Sequence, residues 1–351
     1  MTQLWVRAEQ RENEERVGLT PDGAAKLIQS GISVTVEDSS ARCVPTDRYR
    51  DAGCDIAPEF SWPSAPTDTI IFGLKELPED GSPLGHKHIM FGHAFKGQPA
   101  GQKLLRRFRS GNGSLYDLEY LVDEAGHRVA AFGYWAGYAG AAVALKCWTA
   151  QQRGEIAGAV TRYQSSEHLI DELKSELKGI SRPLPKALVI GALGRVGSGA
   201  RDLCAALSVQ TTDWDLAETT NGGPFPEVLA HDIFLNCILA RSGTPVFVPK
   251  STLSEQRQLT VIGDIACDPE SDFSPIKVYT QATNWSEPAI RVAQHPKLDV
   301  TAIDNLPSLL PAESSIDFAE QLLPSLLELN DLSSDVWGRA NKVFQQQTDL
   351  T

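Results

Sequence analysis

Three evenly spaced glycines after a short apolar run constrain the fold of this chain more than any other feature. Residues 187–190 are apolar, as expected for a parallel strand covered on both faces. Gly191, Gly194 and Gly197 follow directly, and a helical pattern continues after them. Glycines at such a turn let the backbone approach a pyrophosphate, which free N–H groups at the helix start then bind. Because the spacing is G-x-x-G-x-x-G rather than the commoner G-x-G-x-x-G, an ordinary turn between a strand and a helix fits the triplet equally well.

An acidic residue downstream favours the dinucleotide interpretation. Residues 209–214 predict a second strand, and Asp215 follows it at about the 20-residue offset where an acid binds the adenosine ribose. A carboxylate there repels a 2′-phosphate, so the predicted cofactor is NAD rather than NADP. The residues expected to bind it in this segment are Gly191, Leu193, Gly194, Arg195, Val196, Gly197 and Asp215.

Length and composition exclude several classes of protein. A chain of 351 residues is too long for one typical core and fits two domains. A net charge of −13 argues against a nucleic-acid partner, because a phosphate backbone demands clustered Lys and Arg. No apolar run is long enough to cross a bilayer, and the first residues show no signal-peptide pattern, so we expect no membrane partner and a cytoplasmic location. We further expect a monomer that binds small-molecule substrates.

Cysteine and histidine spacing predicts no metal site. The six cysteines are scattered without a C-x-x-C pair, as in reduced, buried thiols. His86 and His88 have a spacing that suits a metal ion, but no Cys or carboxylate lies at a recognisable ligand spacing from them.

Alternating strands and helices predict an α/β fold with two Rossmann-like domains, each with a parallel sheet. In the first 130 residues, five predicted strands alternate with helices, as in a doubly wound domain. A long helix over residues 133–152 then leads into the nucleotide-binding part, where further strands are predicted at 233–238, 260–265 and 301–303.

Helical patterns at the end of the chain predict that it returns to the first domain. The apolar spacing over 314–329 and 336–344 is amphipathic, which suits helices packed on an existing sheet. We therefore predict a discontinuous substrate and catalytic domain of residues 1–132 and 312–351, and an NAD-binding domain of residues 133–311.

Charged side chains follow two buried strands of the first domain. Lys75 and Glu76 come after one strand, and His93 and Lys96 come after the next. Because the carboxyl ends of parallel strands meet at one edge, we expect these side chains to share a cleft. A lysine beside other cations in a site that excludes water has its charged form disfavoured and can act as a base, and a histidine needs little adjustment to do so. On position alone, solvated loop charges and a hydrogen-bonded core histidine fit the pattern as well.

Other charged positions leave two interpretations open. Arg16 and Arg128 suit a clamp on substrate carboxylates, because a guanidinium donates paired N–H groups, yet most arginines lie on a surface. Glu119 and the pair Asp304 and Asn305 follow predicted strands and carry the same ambiguity.

Motifs spread in order over nearly the whole chain resemble the NAD-dependent, lysine-forming saccharopine dehydrogenases. The segments that carry this resemblance are 7–9, 16–21, 36–39, 71–76, 92–96, 115–119, 128–133, 191–195, 222–225 and 304–311. The family belongs to the alanine dehydrogenase and transhydrogenase superfamily, so the resemblance implies two Rossmann-like domains with the active site in the cleft between them.

The resemblance also implies a reaction. The family oxidises the secondary amine of saccharopine to an imine, which water splits into lysine and 2-oxoglutarate, and it catalyses the reverse condensation. Lys75 matches the base for the amine proton, and His93 matches the acid–base group for imine hydrolysis. Glu76 and Glu119 match acidic residues that tune this cationic site.

The same resemblance implies residues for the substrate and the nicotinamide. Arg16, Lys96 and Arg128 match groups near the substrate carboxylates, and Asp304 matches a residue beside the nicotinamide. A substrate with three carboxylates needs several cations, which agrees with these residue types.

Three positions depart from the family pattern. Val196 stands where fungal members carry a cysteine that can pair with the counterpart of Cys237, so that disulfide is not expected here. Asn305 replaces an expected histidine, and Asn221 replaces an expected arginine, which leaves substrate specificity open.

Two alternative functions are a related reductive aminase or opine-like dehydrogenase with another amine and oxo acid, and a nucleotide-binding regulatory module. The retained acid–base residues argue against the second.

Overall fold

The chain divides into two compact units in a computed structural model that describes residues 2–269 and 271–349. The first unit comprises Met1–Ala131 and Pro311–Thr351, and the second comprises Phe132–Leu310. Both boundaries lie one residue before the predicted ones. None of the helices in the described ranges combines the length and the apolar character needed to cross a membrane.

A six-stranded parallel sheet forms the centre of the first unit within the described residues. Its strands are β1 (Gln3–Val6), β2 (Ser33–Glu37), β3 (Asp55–Ala57), β4 (Ile70–Phe72), β5 (Lys87–Met90) and β6 (Ser114–Asp117). Their spatial order is β3-β2-β1-β4-β5-β6, and every neighbouring pair is parallel. The order reverses between β1 and β4, and open α/β sheets bind their ligands beyond the strand ends at such a point. Only β3, three residues long, was not predicted.

Three helices connect these strands, and local sequence sets where they begin. They are α1 (Pro21–Gln29), α2 (Thr46–Asp51) and α3 (Pro99–Gly111). At α1 the hydroxyl of Thr20 accepts a hydrogen bond from the N–H of Gly23 at 3.2 Å, and Pro21 occupies the first helical position, which confirms the predicted start.

The second unit also contains a six-stranded sheet within the described residues. Its elements in chain order are α4 (Gly133–Gln152), α5 (Ser166–Lys178), β7 (Lys186–Ile190), α6 (Arg195–Ala206), β8 (Gln210–Trp214), α7 (Leu216–Thr219), α8 (Pro226–Leu229), β9 (Ile233–Asn236), β10 (Val261–Asp264), β11 (Ile290–Gln294) and β12 (Lys297–Thr301). The strand order is β11-β12-β10-β9-β7-β8, which reverses between β7 and β9. All pairs are parallel except β11 with β12. The predicted parallel sheet is observed, with one antiparallel pair at its edge.

The predicted strand at 301–303 overlaps β12 only at Thr301, where β12 ends, and Ile303 forms an isolated parallel bridge with Thr283. A buried carboxylate in β12 obscures the apolar pattern of this strand in the sequence. Asp299 is fully buried in β12 and accepts hydrogen bonds from Arg291 Nε at 2.8 Å and from Gln151 Nε2 at 2.7 Å. A charged residue inside a buried strand is stable only when it is paired in this way. One of the two partners, Gln151, lies 148 residues away in the sequence.

Helices α4 and α6 approach each other closely in the second unit. A Cβ atom on Gly137 would lie 1.8 Å from the carbonyl oxygen of Val196, and one on Gly199 would lie 1.9 Å from that of Tyr134. These distances are far below van der Waals contact, so only glycine fits at either position. The pair fixes the start of α6, which follows the glycine turn, against the long helix α4.

The end of the chain forms two helices that belong to the first unit, α9 (Pro311–Leu327) and α10 (Asp335–Asp349). The Ser315 hydroxyl of α9 accepts a hydrogen bond from the N–H of Val17 at 2.8 Å. The α10 rings of Trp337 and Phe344 pack edge to face on Tyr116 of β6 and Phe108 of α3. These contacts extend the apolar core of the first sheet.

Candidate active site and nucleotide turn

Three predicted site residues follow three adjacent strands of the first unit. Lys75 lies three residues after β4, His93 lies three residues after β5, and Glu119 lies two residues after β6. Since β4, β5 and β6 are neighbours in a parallel sheet, all three residues lie at its carboxyl edge.

Glu119 joins three of the predicted site residues. Its Oε1 accepts hydrogen bonds from Arg128 Nη2 at 2.8 Å and from Lys96 Nζ at 3.2 Å, and its Oε2 lies 3.6 Å from His93 Nδ1. The interaction with His93, together with the charges of Lys96 and Arg128, lowers the pKa of Glu119 to about 2 despite its burial. The structure therefore brings His93, Lys96, Glu119 and Arg128 into one cluster with a permanently ionised carboxylate.

The His93 side chain is accessible. It is 58% exposed, its ring stacks on that of Phe91 with the centroids 6.3 Å apart, and its backbone has φ +47°. A non-glycine residue in the left-handed region is uncommon and often marks a functional loop. The interpretation of His93 as a core histidine is wrong, because the ring lies on the surface of the loop.

Arg16 lies in a different environment from Lys96 and Arg128. It is buried and binds Glu14 with two hydrogen bonds, from Nε at 2.8 Å and from Nη2 at 2.6 Å. Burial raises the pKa of Glu14, but the charge and hydrogen bonds of Arg16 and the charge of Lys75 outweigh this effect, so the pKa lies below its ordinary value. Lys75 is thus placed beside a buried ion pair.

The loop that carries Lys75 is held by residues to which the sequence reasoning gave no role. The carboxylate of Glu9 accepts hydrogen bonds from the N–H groups of Leu74 at 2.6 Å and Lys75 at 3.0 Å. Arg7 binds both Glu9, at 3.2 Å, and the carbonyl oxygen of Lys75. Gly73 leaves room for this, since a Cβ there would lie 2.3 Å from Arg7 Nε. Their position just after β1, at the strand-order reversal, was the available signal.

A fully buried carboxylate also lies behind the Glu119 cluster. Asp117, at the end of β6, accepts a hydrogen bond from the N–H of Glu119 at 2.9 Å. Burial, together with the charge of Glu119, raises the pKa of Asp117 to about 6. The sequence reasoning did not single out this residue.

A cavity of about 490 Å³ lies beside two of the candidate site residues. Glu76 and His93 both line it, together with Phe91 and with Lys103 of α3. The Glu76 carboxylate is exposed and lies 3.8 Å from Arg11 Nε, and Arg11 is not part of the Glu119 cluster. The volume is ample for an amino-acid-sized ligand.

The glycine turn of the second unit has the conformation expected of a nucleotide-binding turn. Gly191 has φ +87°, and a Cβ there would lie 2.5 Å from the Ile238 side chain. A Cβ on Gly197 would lie 2.1 Å from the Gly191 carbonyl oxygen, whereas one on Gly194 would have its nearest neighbour at 3.5 Å. Gly191 and Gly197 are therefore required by the turn itself, and the side of Gly194 is open for another molecule to approach.

Asp215 lies directly beside this turn. Its Oδ2 accepts a hydrogen bond from the N–H of Leu193 at 3.0 Å, and its Oδ1 accepts one from that of Leu216 at 2.9 Å. It forms a capping box with Glu218 at the start of α7. The predicted acid thus touches the turn and also begins a helix.

The remaining turn residues and nearby apolar side chains face outward. Leu193, Gly194 and Arg195 are exposed, and Val196 is half-buried. Leu193, Leu216 and Leu239 are at least half exposed and follow β7, β8 and β9 in turn. Large exposed apolar residues grouped at one sheet edge mark a binding surface, and the sequence reasoning missed the last two.

The residues at the departures from the family pattern are also placed. Cys237 is a buried free thiol, and Asn221 is exposed in the turn after α7. Asp304 is exposed and contributes, after burial and Asp264, to the raised pKa of the Cys267 thiol, whereas Asn305 is buried at the start of a short 3₁₀ helix.

The two histidines with metal-like spacing lie in the core instead. His86 Nε2 contacts the carbonyl oxygen of Ala65 at 3.1 Å, and the His88 ring packs on Trp62 and Phe108. Within 2–269 and 271–349, no group of three or more His, Cys, Asp or Glu side chains is arranged to hold a metal ion.

Comparisons with known proteins identify the family of this chain. The sequence profile "Alanine dehydrogenase/PNT, N-terminal domain" matches residues 5–139. The chain is 45% identical to saccharopine dehydrogenase [NAD(+), L-lysine-forming] of Candida albicans, over 98% of this chain and 96% of that protein. The chain belongs to this family. Another member, from Yarrowia lipolytica, is 44% identical over 98% of this chain and 96% of its own length.

A solved structure supports the fold of this family member. An L-alanine dehydrogenase matches 99% of this chain and 94% of its own with a TM-score of 0.71 at 17% identity. The α/β fold class and the family resemblance inferred from the sequence are confirmed.

Proposed function

We propose that this chain is an NAD-dependent oxidoreductase that interconverts saccharopine with L-lysine and 2-oxoglutarate. The observation that carries the proposal is the similarity, over nearly the whole chain, to relatives that bear this activity in their names. The alternative, an opine-like dehydrogenase with another amine and oxo acid, has no comparable support.

The charged cluster of the first unit supports assigning the acid–base chemistry there. Bound NAD⁺ would supply the hydride acceptor for the oxidation of the substrate carbon. Lys75 takes the proton of the secondary amine as the imine forms. His93 removes a proton from the water that attacks the imine carbon, and it returns a proton to the departing amino group as the C–N bond breaks. His93 is exposed for such contact and is anchored by Glu119 at 3.6 Å.

The cations of the first unit support binding of an anionic substrate. Lys96 and Arg128 are both accessible, with side chains 51% and 37% exposed, and we assign them to substrate carboxylates. We also assign Arg16 to a substrate carboxylate, but its Nε and Nη2 groups already bind Glu14, so it would act as part of this ion pair. Glu76 and Glu119 balance the positive charge.

The second unit fits a dinucleotide, and we propose that it is the NAD-binding domain. The glycines leave the turn backbone open at Gly194, helix α6 begins at Arg195, and exposed leucines supply apolar walls for an adenine ring. Asp215 would bind the ribose hydroxyls and repel a 2′-phosphate. Asp304 is assigned to the nicotinamide end. The first unit is then the substrate and catalytic domain.

We also propose a cytoplasmic, monomeric enzyme without a resident metal. The six cysteines are free, and four of them are buried. Reduced, buried thiols are typical of a reducing compartment.

An assay of NADH oxidation tests the proposed function. We expect turnover with L-lysine plus 2-oxoglutarate, and little turnover when lysine is replaced by ornithine or when 2-oxoglutarate is replaced by pyruvate. Preferred use of a different pair would establish the opine-like alternative, and absence of turnover with lysine would exclude the proposal.

A further inference from the structure

An ion pair lies next to the proposed ribose site of the second unit. Arg201 of α6 and Asp213 of β8 are joined by Nε and Oδ2 at 2.7 Å. Arg201 Nη1 also donates a hydrogen bond to the carbonyl oxygen of Ala192 at 3.3 Å. Both side chains remain accessible, at 38% and 33% exposure, so a bound ligand can reach the guanidinium.

One peptide unit connects this pair to Asp215. The carbonyl of Ala192 accepts from Arg201, and the N–H of the following residue, Leu193, donates to Asp215 Oδ2 at 3.0 Å. The guanidinium nitrogen and the carboxylate oxygen are thus separated by about 9 Å at most, since the path crosses two hydrogen bonds and one peptide. Asp213 and Asp215 are two residues apart in extended backbone, so they project to the same side of β8.

The chemistry of the cofactor gives this arrangement a meaning. A 2′-phosphate would replace the ribose hydroxyl that Asp215 is proposed to bind, and it would bring close to two negative charges. A guanidinium is the preferred protein partner of a phosphate, and the long Arg201 side chain reaches several ångströms from its backbone. Asp213 forms an ion pair with the Arg201 guanidinium and places a second carboxylate near that of Asp215.

We propose that Asp213 is a second determinant of cofactor choice: it pairs with Arg201 and withholds that guanidinium from a 2′-phosphate, which favours NAD over NADP. The proposal rests on the proposed NAD site and goes beyond it, because Asp215 alone accounts only for repulsion. Arg201 is a latent phosphate-binding residue, and Asp213 masks it.

Binding of two nucleotide fragments separates this role from a purely structural one. We would measure the dissociation constants of 5′-AMP and 2′,5′-ADP by isothermal titration calorimetry on the full chain. In Asp213→Asn, the affinity for 2′,5′-ADP relative to 5′-AMP should rise about fivefold, a modest change because the ion pair is partly exposed. The gain should shrink in 0.5 M salt, which screens charges.

Two variants serve as controls. Asp202→Asn removes a carboxylate from the neighbouring position of α6, one that accepts from the Tyr134 hydroxyl at 2.7 Å rather than from Arg201, so the ratio should not change. In Asp213→Asn combined with Arg201→Gln, the gain should disappear. Circular dichroism melting of each variant checks that it is folded.

The outcomes distinguish the two levels of inference. If the wild-type chain binds 5′-AMP but Asp213→Asn leaves the ratio unchanged, or the gain survives Arg201→Gln, the role of Asp213 is overturned and the nucleotide site stands. If the wild-type chain binds neither 5′-AMP nor NADH, the proposed nucleotide site fails, and the role of Asp213 fails with it.

Discussion

The two candidate regions of this molecule are formed by different parts of the polypeptide, side chains in the first unit and backbone in the second. At the strand ends of the first unit, side chains and their charges define the site: Glu119 contacts His93, Lys96 and Arg128, and Glu14 pairs with Arg16. In the glycine turn of the second unit, the backbone itself defines the site, because Gly191 and Gly197 leave no room for a Cβ atom. Side-chain substitutions can therefore change the chemistry of the first region without moving the backbone, whereas a side chain at Gly191 or Gly197 would displace the backbone of the turn.

The largest expected effect comes from the proposed acid–base residues. Lys75→Met and His93→Gln should each lower kcat by about 10²–10⁴-fold, because a positioned proton-transfer group contributes that much. The dissociation constant of NADH, measured by fluorescence titration, should change less than about twofold, since the proposed cofactor residues lie in the other unit. A double variant with full activity would remove both residues from the mechanism.

Glycine substitutions test the backbone half of the comparison. Gly197→Ala should lower the free energy of unfolding by about 3 kcal/mol and weaken NADH binding, because its Cβ would lie 2.1 Å from the Gly191 carbonyl oxygen. Gly194→Ala is the matched control for stability, since its Cβ meets nothing closer than 3.5 Å and its φ is −77°. Urea unfolding measures both. Equal stability of the two variants would contradict the structural distinction within the turn.

Asp117 tests how far charge governs the first region. Its pKa is raised to about 6, so the folded state holds the proton more tightly than the unfolded state does. The resulting stability is fully present below pH 4 and is lost as the pH rises through 6. Relative to wild type, Asp117→Asn should therefore gain about 2 kcal/mol of unfolding free energy between pH 4 and pH 8. If the unfolding free energies of the two proteins, measured by urea unfolding, changed equally with pH, the prediction would be refuted. The exposed Asp68→Asn provides the control.

His88 provides the smallest effect and a contrast with exposed His93. Burial, with help from the charges of Arg7, His86 and Arg107, lowers the pKa of His88 well below its ordinary value. The unfolded state then binds a proton that the folded state rejects, so stability falls as the pH drops below about 6.5. The loss reaches at most about 1.4 kcal/mol per pH unit for one proton. His88→Leu should flatten this acid slope and the exposed His127→Gln should retain it; an unchanged slope in His88→Leu would disprove the assignment.

Sequence reasoning located what depends on neighbours along the chain. The glycine turn, the acid after β8 and the charged residues after β4 and β5 could all be singled out from the sequence, because each closely follows its predicted strand. Glu9 was given no role because it acts 65 residues away, on the N–H of Leu74. Glu14, which changes the interpretation of Arg16, sits in a loop without a periodic pattern, and nothing in a linear reading marks it as buried.

Burial of charge was the main source of error in the fold. The strand β12 contains Lys297 and Asp299, which obscure its apolar alternation, and its stability depends on Arg291 and Gln151 from other elements. The edge hairpin of β11 and β12 was missed for the same reason. Asp117 is another case, since a carboxylate at a strand end looks the same in sequence whether it is solvated or fully buried.

The close approach of α4 and α6 has a consequence for anyone who re-engineers this protein. Gly137 and Gly199 each face a carbonyl of the opposite helix, so the two helices pack in direct backbone contact. The packing on α4 therefore sets the orientation of the start of α6. A nucleotide turn transplanted into another scaffold without α4 would lose the surface that orients it. The compact unit that contains both helices spans Phe132–Leu310, and α4 lies more than thirty residues upstream of the turn.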